Sequence, residues 1–91
     1  MMKAVTLNKY GDPSVLQISN IKIPKLEKDE VLIKVVGAGI NRPDIIQRAG
    51  FYPPPKGASN ILGLEVSGII SEVGKELDNN FIGNEVCALL T

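Results

Sequence analysis

Histidine and tryptophan are absent, cysteine occurs once, and neither sign of charge predominates. Each scarcity removes a class of function. Without histidine the commonest general base near neutral pH is missing, so any catalysis falls to Tyr, Asp, Glu, Lys or a bound cofactor. Cys87 has no second cysteine for an internal disulfide and no histidine with which to build the usual Cys/His zinc site, so no metal is expected. Ten basic residues cancel ten acidic ones, which leaves no positive excess to condense on nucleic acid or anionic lipid. The longest apolar run, Val86–Leu90, falls far short of the roughly 20 residues that span a bilayer. Met1-Met2-Lys3 leads into an alternating segment rather than the apolar stretch of a signal peptide. The expectation is a cytoplasmic protein with no nucleic-acid or membrane partner.

What is present suits one small domain. The chain has 91 residues, and 44% of them are hydrophobic, enough apolar material for a single core. Lys3–Leu7 alternates and is β-branched, then stops at Tyr10-Gly11-Asp12-Pro13, where Gly and Pro set a turn. Val15–Ile23 resumes the strand pattern, but its apolar residues change parity between Leu16/Ile18 and Ile21/Ile23, which predicts a bulge or break near Ser19-Asn20. Val31–Val36 reads as a central strand with Val31, Ile33 and Val35 on one face. Arg42–Arg48 reads as a helix of two turns, with Pro43 and Asp44 in the first turn and Gly50 as its stop. Phe51–Gly57 carries three successive prolines that lack N–H donors, and is expected to be a stiff extended loop. Glu65–Val73 and Glu85–Leu90 are the remaining strands, joined through a polar turn at Lys75–Asn80. The fold class is mainly β, a barrel or sandwich with one short helix.

Several motifs carry competing readings. Gly37-Ala38-Gly39 at a strand end resembles the start of a dinucleotide-binding fingerprint, but Arg42 occupies the place of the third glycine and Pro43 follows it. That glycine is what lets helix and strand pack closely, so the pair is read as permitting a bend. Asn41, Arg42, Asp44 and Arg48 gather around a helix start. They form either a site or a helix cap with an Asp44–Arg48 ion pair contributing about 0.3 to 0.5 kcal/mol. Tyr52, beside Pro53, Pro54 and Pro55, is a pocket wall with a hydroxyl handle, a loop aromatic packed on proline rings, or part of a ligand for a proline-binding partner. Glu65 is an exposed strand residue or a half-buried carboxylate supporting a site. Cys87, flanked by Val86 and Ala88, reads as an inert core thiol.

Taken in order, Gly11-Asp12-Pro13-Ser14-Val15-Leu16, Glu30–Val35, Asn41-Arg42-Pro43-Asp44, Arg48–Pro55 and Gly63-Leu64-Glu65-Val66-Ser67-Gly68 with Gly74 closely resemble one family. It is the N-terminal, GroES-like domain of zinc-independent quinone oxidoreductases, the ζ-crystallin-like branch of the medium-chain dehydrogenase/reductase superfamily. The resemblance implies a partly open antiparallel β-barrel with one short helix. Residues 1–91 would form the N-terminal part of that catalytic domain, with its last strands and a Rossmann coenzyme domain beyond it. It implies transfer of a hydride from NADPH, bound mainly by the other domain, to a quinone or similar conjugated carbonyl, and a homodimer of the full-length chain. Zinc-dependent members have Cys at or beside the position of Asn41 and His at that of Leu64, so the zinc-free branch is implied. By the same resemblance Asn41 and Arg42 would approach the nicotinamide, Tyr52 would wall the substrate pocket as its catalytic donor, Asp44 and Arg48 would fix the helix, and Glu65 would support the site. A related NADPH-dependent enoyl or enone reductase, and a non-catalytic GroES-like scaffold module, fit the same pattern.

Overall fold

The computed structural model describes residues 1–90. Five strands and one α-helix follow in the order β1 (Met2–Leu7), β2 (Leu16–Ile21), β3 (Val31–Ala38), α1 (Arg42–Ala49), β4 (Glu65–Val73) and β5 (Glu85–Leu89). The chain divides into two compact units, each assembled from separated stretches: residues 1–23 with 40–64, and residues 24–39 with 65–90. The mainly β class with one helix is what the sequence predicted.

In the first unit β1 and β2 pair antiparallel in an unbroken register from Met2↔Ile21 to Leu7↔Leu16. The link between them closes on a one-turn 3-10 helix, Pro13–Val15, whose N-cap Asp12 accepts from the Ser14 N–H. Thr6 and Ser19 join their hydroxyls across the hairpin at 2.7 Å. The bulge expected near Ser19-Asn20 does not occur. The parity argument assumed that Leu16 and Ile18 face a core, whereas Ile18 and its cross-strand partner Val5 are both exposed. The strand simply ends at Ile21, and Ile23 lies beyond it.

In the second unit β3, β4 and β5 form an antiparallel sheet with β4 in the middle. β3 was expected to be central, and it is an edge. Its apolar run packs against one neighbour only, and Val31 and Val35, two of the three residues read as sharing one face, are exposed. Register shifts fall between Leu32/Ile33 and Val35/Gly37, leaving Ser71 on β4 and Val36 on β3 outside the register, although the Ser71 hydroxyl donates to the Leu32 carbonyl at 3.2 Å. Such insertions sharpen local twist. Gly68 lies where β4 crosses β3 so closely that a Cβ would run into the Lys34 carbonyl.

Val15 and Ile70 are the buried apolar side chains among the described residues, and no side chain is fully enclosed. No helix among the described residues is long and apolar enough to cross a membrane.

Candidate functional site

Helix α1 has eight residues, about 12 Å of rise, and the residues it buries are polar. Asp44 is 7% exposed and Gln47 8%. Asp44 sits in the first turn, where a carboxylate complements the unpaired N–H groups and the helix dipole. Its Oδ2 accepts from the Asn41 N–H at 2.9 Å, and its Oδ1 from the Gly63 N–H at 3.1 Å. The Asn41 carbonyl in turn accepts the Asp44 N–H at 3.0 Å. One carboxylate thus fixes the helix start, the backbone of Asn41 and a loop 19 residues downstream. Gln47, one turn on, donates through Nε2 to the Asn60 carbonyl at 3.1 Å, pinning the same return loop again.

The far end of the helix is held differently. Gly50 adopts φ +94, the left-handed conformation that only glycine takes without penalty. Its N–H donates to the Gln47 carbonyl and that of Phe51 to the Ile46 carbonyl, both at 3.0 Å, which is a Schellman-type stop. Arg48 does not pair with Asp44. Its Nε donates to the Gly11 carbonyl at 3.1 Å, and the Gly11 N–H donates back to the Arg48 carbonyl at 2.9 Å. The i,i+4 ion pair considered from sequence is displaced because both Asp44 oxygens already bond backbone N–H groups, while Arg48 finds a carbonyl 37 residues away.

The chemistry-bearing residues lie at the two ends of α1. Asn41, half-buried, and Arg42, exposed, stand at its start. Arg42 makes no ion pair among the described residues. Tyr52, 42% exposed, is the second residue past Gly50, next to Phe51 at 83%. Pro53–Pro55 has no regular secondary structure, as its missing donors required. Asn41 and Tyr52 therefore flank one rigid element with the helix between them.

Glu65 and Cys87 belong to the other unit. Glu65, half-buried at the start of β4, lays its carboxylate against Gly39, where any Cβ would collide with it. Gly37 faces the Ser67 hydroxyl in the β3–β4 pair. These glycines thus serve close strand contact, and a carboxylate against the second would repel a pyrophosphate. Cys87 is exposed rather than a core thiol, because edge strand β5 leaves its face uncovered. It borders an open depression of about 480 Å³ with Val36, Ser67, Gly68, Ile69, Glu85 and Val86. The anchors missed in the sequence are Gly11, Asn60 and Gly63. They act through backbone atoms, which carry no residue-type signal.

The pattern defining the alcohol dehydrogenase GroES-like domain matches residues 27–90. The chain is similar to an NADPH-dependent alkenal/one oxidoreductase, chloroplastic, of Arabidopsis thaliana, 37% identical over 89 residues, covering 96% of this chain and 23% of that protein. A quinone oxidoreductase of Lama guanicoe is 35% identical over 78 residues, covering 85% and 24%. Among solved structures, Escherichia coli quinone oxidoreductase complexed with NADPH superposes with a TM-score of 0.84 at 30% identity, covering 99% of this chain and 27% of the other. The chain spans roughly a quarter of the length of these relatives.

Proposed function

Because the chain belongs to the alcohol dehydrogenase GroES-like domain family, we propose that it is the substrate-side part of an NADPH-dependent reductase. The acceptor is a quinone or a similar conjugated carbonyl, and no zinc takes part. Residues 1–91 are read as the N-terminal part of the catalytic domain, and the coenzyme-binding domain lies outside them, as the short share of each relative suggests.

The observation that carries this reading is the framing of α1, with a polar group at each end and both ends locked. Bound NADPH supplies the hydride. The segment described here offers it no phosphate cradle, since Gly39 is backed by the Glu65 carboxylate. Asn41 and Arg42 fit the nicotinamide side, as an uncharged amide beside a free guanidinium. Asp44 holds the Asn41 backbone in place through its 2.9 Å hydrogen bond. Tyr52 offers the acceptor a flat ring to stack on and a hydroxyl to donate to the oxygen that gains negative charge. About 12 Å of helix lies between them. The donor set argues against zinc: by the family resemblance Asn41 and Leu64 stand at or beside the places where zinc-dependent members have Cys and His, and these 91 residues contain no histidine.

The Arabidopsis relative, named for alkenals and enones, favours a second reading of the acceptor as an α,β-unsaturated carbonyl. Both readings are tested in the full-length reductase that carries this segment, assayed with a quinone and with a 2-alkenal. Asn41→Ala and Tyr52→Phe are each expected to lower kcat/KM about tenfold or more, a loss of about 1.4 kcal/mol of transition-state stabilisation. Retention of the parent value by both variants refutes the assignment, and the ratio of the two parent activities selects the substrate class.

A further inference from the structure

Tyr10 rests on the C-terminal end of α1. A Cβ at Gly50 would fall 3.0 Å from Tyr10 Cγ and 3.1 Å from its Cβ and Cδ2, so the root of this aromatic ring fills the space a side chain would take there. The next residue is tied to the helix twice, through the Gly11 N–H to the Arg48 carbonyl and Arg48 Nε to the Gly11 carbonyl. The Gly50 and Phe51 N–H groups are engaged by the helix itself. Tyr10, Gly11, Arg48 and Gly50 therefore form one block, and Tyr52 leaves the helix two residues after the glycine on which Tyr10 sits. Tyr10 is nevertheless 60% exposed, so its burial contributes little to stability.

We propose that Tyr10 is a positioning residue for Tyr52. By backing Gly50 it sets the direction in which the Phe51-Tyr52 loop departs, and so the pose in which Tyr52 receives a flat conjugated carbonyl substrate. The inference rests on the reading of Tyr52 as the pocket wall. The Tyr10 atoms nearest the Gly50 position are Cγ, Cβ and Cδ2, which phenylalanine also possesses.

The test uses the full-length reductase with a quinone substrate. Tyr10→Ala is expected to raise KM about fivefold and to lower kcat as the Tyr52 hydroxyl loses its aim, and Tyr10→Phe to restore both. In a Tyr52→Ala background, Tyr10→Ala should change KM less than about twofold, because a residue acting through Tyr52 has nothing left to position. A merely structural contact would instead lower Tm without this dependence on Tyr52. Should Tyr10→Ala not accumulate as folded protein, Tyr10→Leu keeps bulk but loses the flat face, and its KM is expected to rise about two- to threefold. Tyr52→Ala leaving KM unchanged would overturn the pocket reading and this proposal together. If Tyr52→Ala raises KM while Tyr10→Ala and Tyr10→Leu do not, or if the two effects multiply, only the positioning role is overturned.

Discussion

Replacing Asp44 by asparagine changes one atom of a nearly buried side chain and isolates what the carboxylate does at the start of α1. Both oxygens accept backbone N–H groups, from Asn41 at 2.9 Å and Gly63 at 3.1 Å. Hydrogen bonds to a charged acceptor contribute about 1.5 to 3 kcal/mol each. The amide of asparagine keeps one acceptor oxygen and turns an NH2 toward the second N–H, so one bond is lost and a donor meets a donor. The expected loss is about 2 kcal/mol of local stability, equivalent to exchange about 30-fold faster at one of the two amides. Asp44→Ala removes both acceptors and should expose both amides. Hydrogen–deuterium exchange followed by NMR at Asn41 and Gly63 measures this. The Ile70 N–H, bonded at 3.0 Å to the Asn84 carbonyl in the other unit, serves as the reference. If both amides keep parent protection to within about twofold in Asp44→Asn, the carboxylate does not hold the helix start and the account of Asn41 falls with it.

Two further outcomes follow from local geometry. The Asp12 carboxyl is held below its ordinary range by hydrogen bonds from the Ser14 hydroxyl and then the Ser14 N–H. Its ionised form is favoured in the folded chain. The contribution is complete above the unfolded-chain value of 3.8 and is lost as pH falls through the lower folded value. Tm plotted against pH should therefore fall less steeply on the acid side for Asp12→Asn than for the parent, and parallel acid limbs would contradict this. At Gly68, a Cβ would meet the Lys34 carbonyl on the paired strand and lie 2.9 Å from Ile33 Cγ2. Backbone cannot rotate aside as a side chain does, so Gly68→Ala is expected to cost about 2 kcal/mol or more, and an unchanged urea midpoint would show that the β3–β4 contact is looser than described.

Where local chemistry decides the outcome, the sequence was legible. Pro43 and Asp44 at one end and Gly50 at the other mark α1 within a residue, and the β-branched, glycine-bounded run Glu65–Val73 is a strand over its whole length. Reading failed where one face was assumed to be buried. Leu16, Ile18, Val31 and Val35 look like core residues and are exposed. Periodicity reports amphipathicity and not what covers it, so the β2 bulge and the central place of β3 were inferred from burial that does not occur. The site divides in the same way. Asn41, Arg42 and Tyr52 were singled out by residue type. The backbone partners that hold the helix beside them, Gly11, Asn60 and Gly63, contribute N–H and carbonyl groups that every residue possesses, at separations of 13 to 37 residues from Gln47, Asp44 and Arg48.

The pairing of Ala38 with Val66 has a bearing on how acceptor preference could diversify or be redesigned. Everything proposed to meet coenzyme or acceptor, from Asn41 to Tyr52, lies on the excursion that opens after β3 and closes into β4, and the sheet clamps both of its ends. Lengthening such an excursion is thermodynamically mild, about 0.6 kcal/mol for a doubling, and the ladder that anchors it does not read its contents. Libraries confined to residues 51–62 could therefore swap one recognition loop for another while sparing the Asp44 and Gly63 fastening and the β3–β4 register.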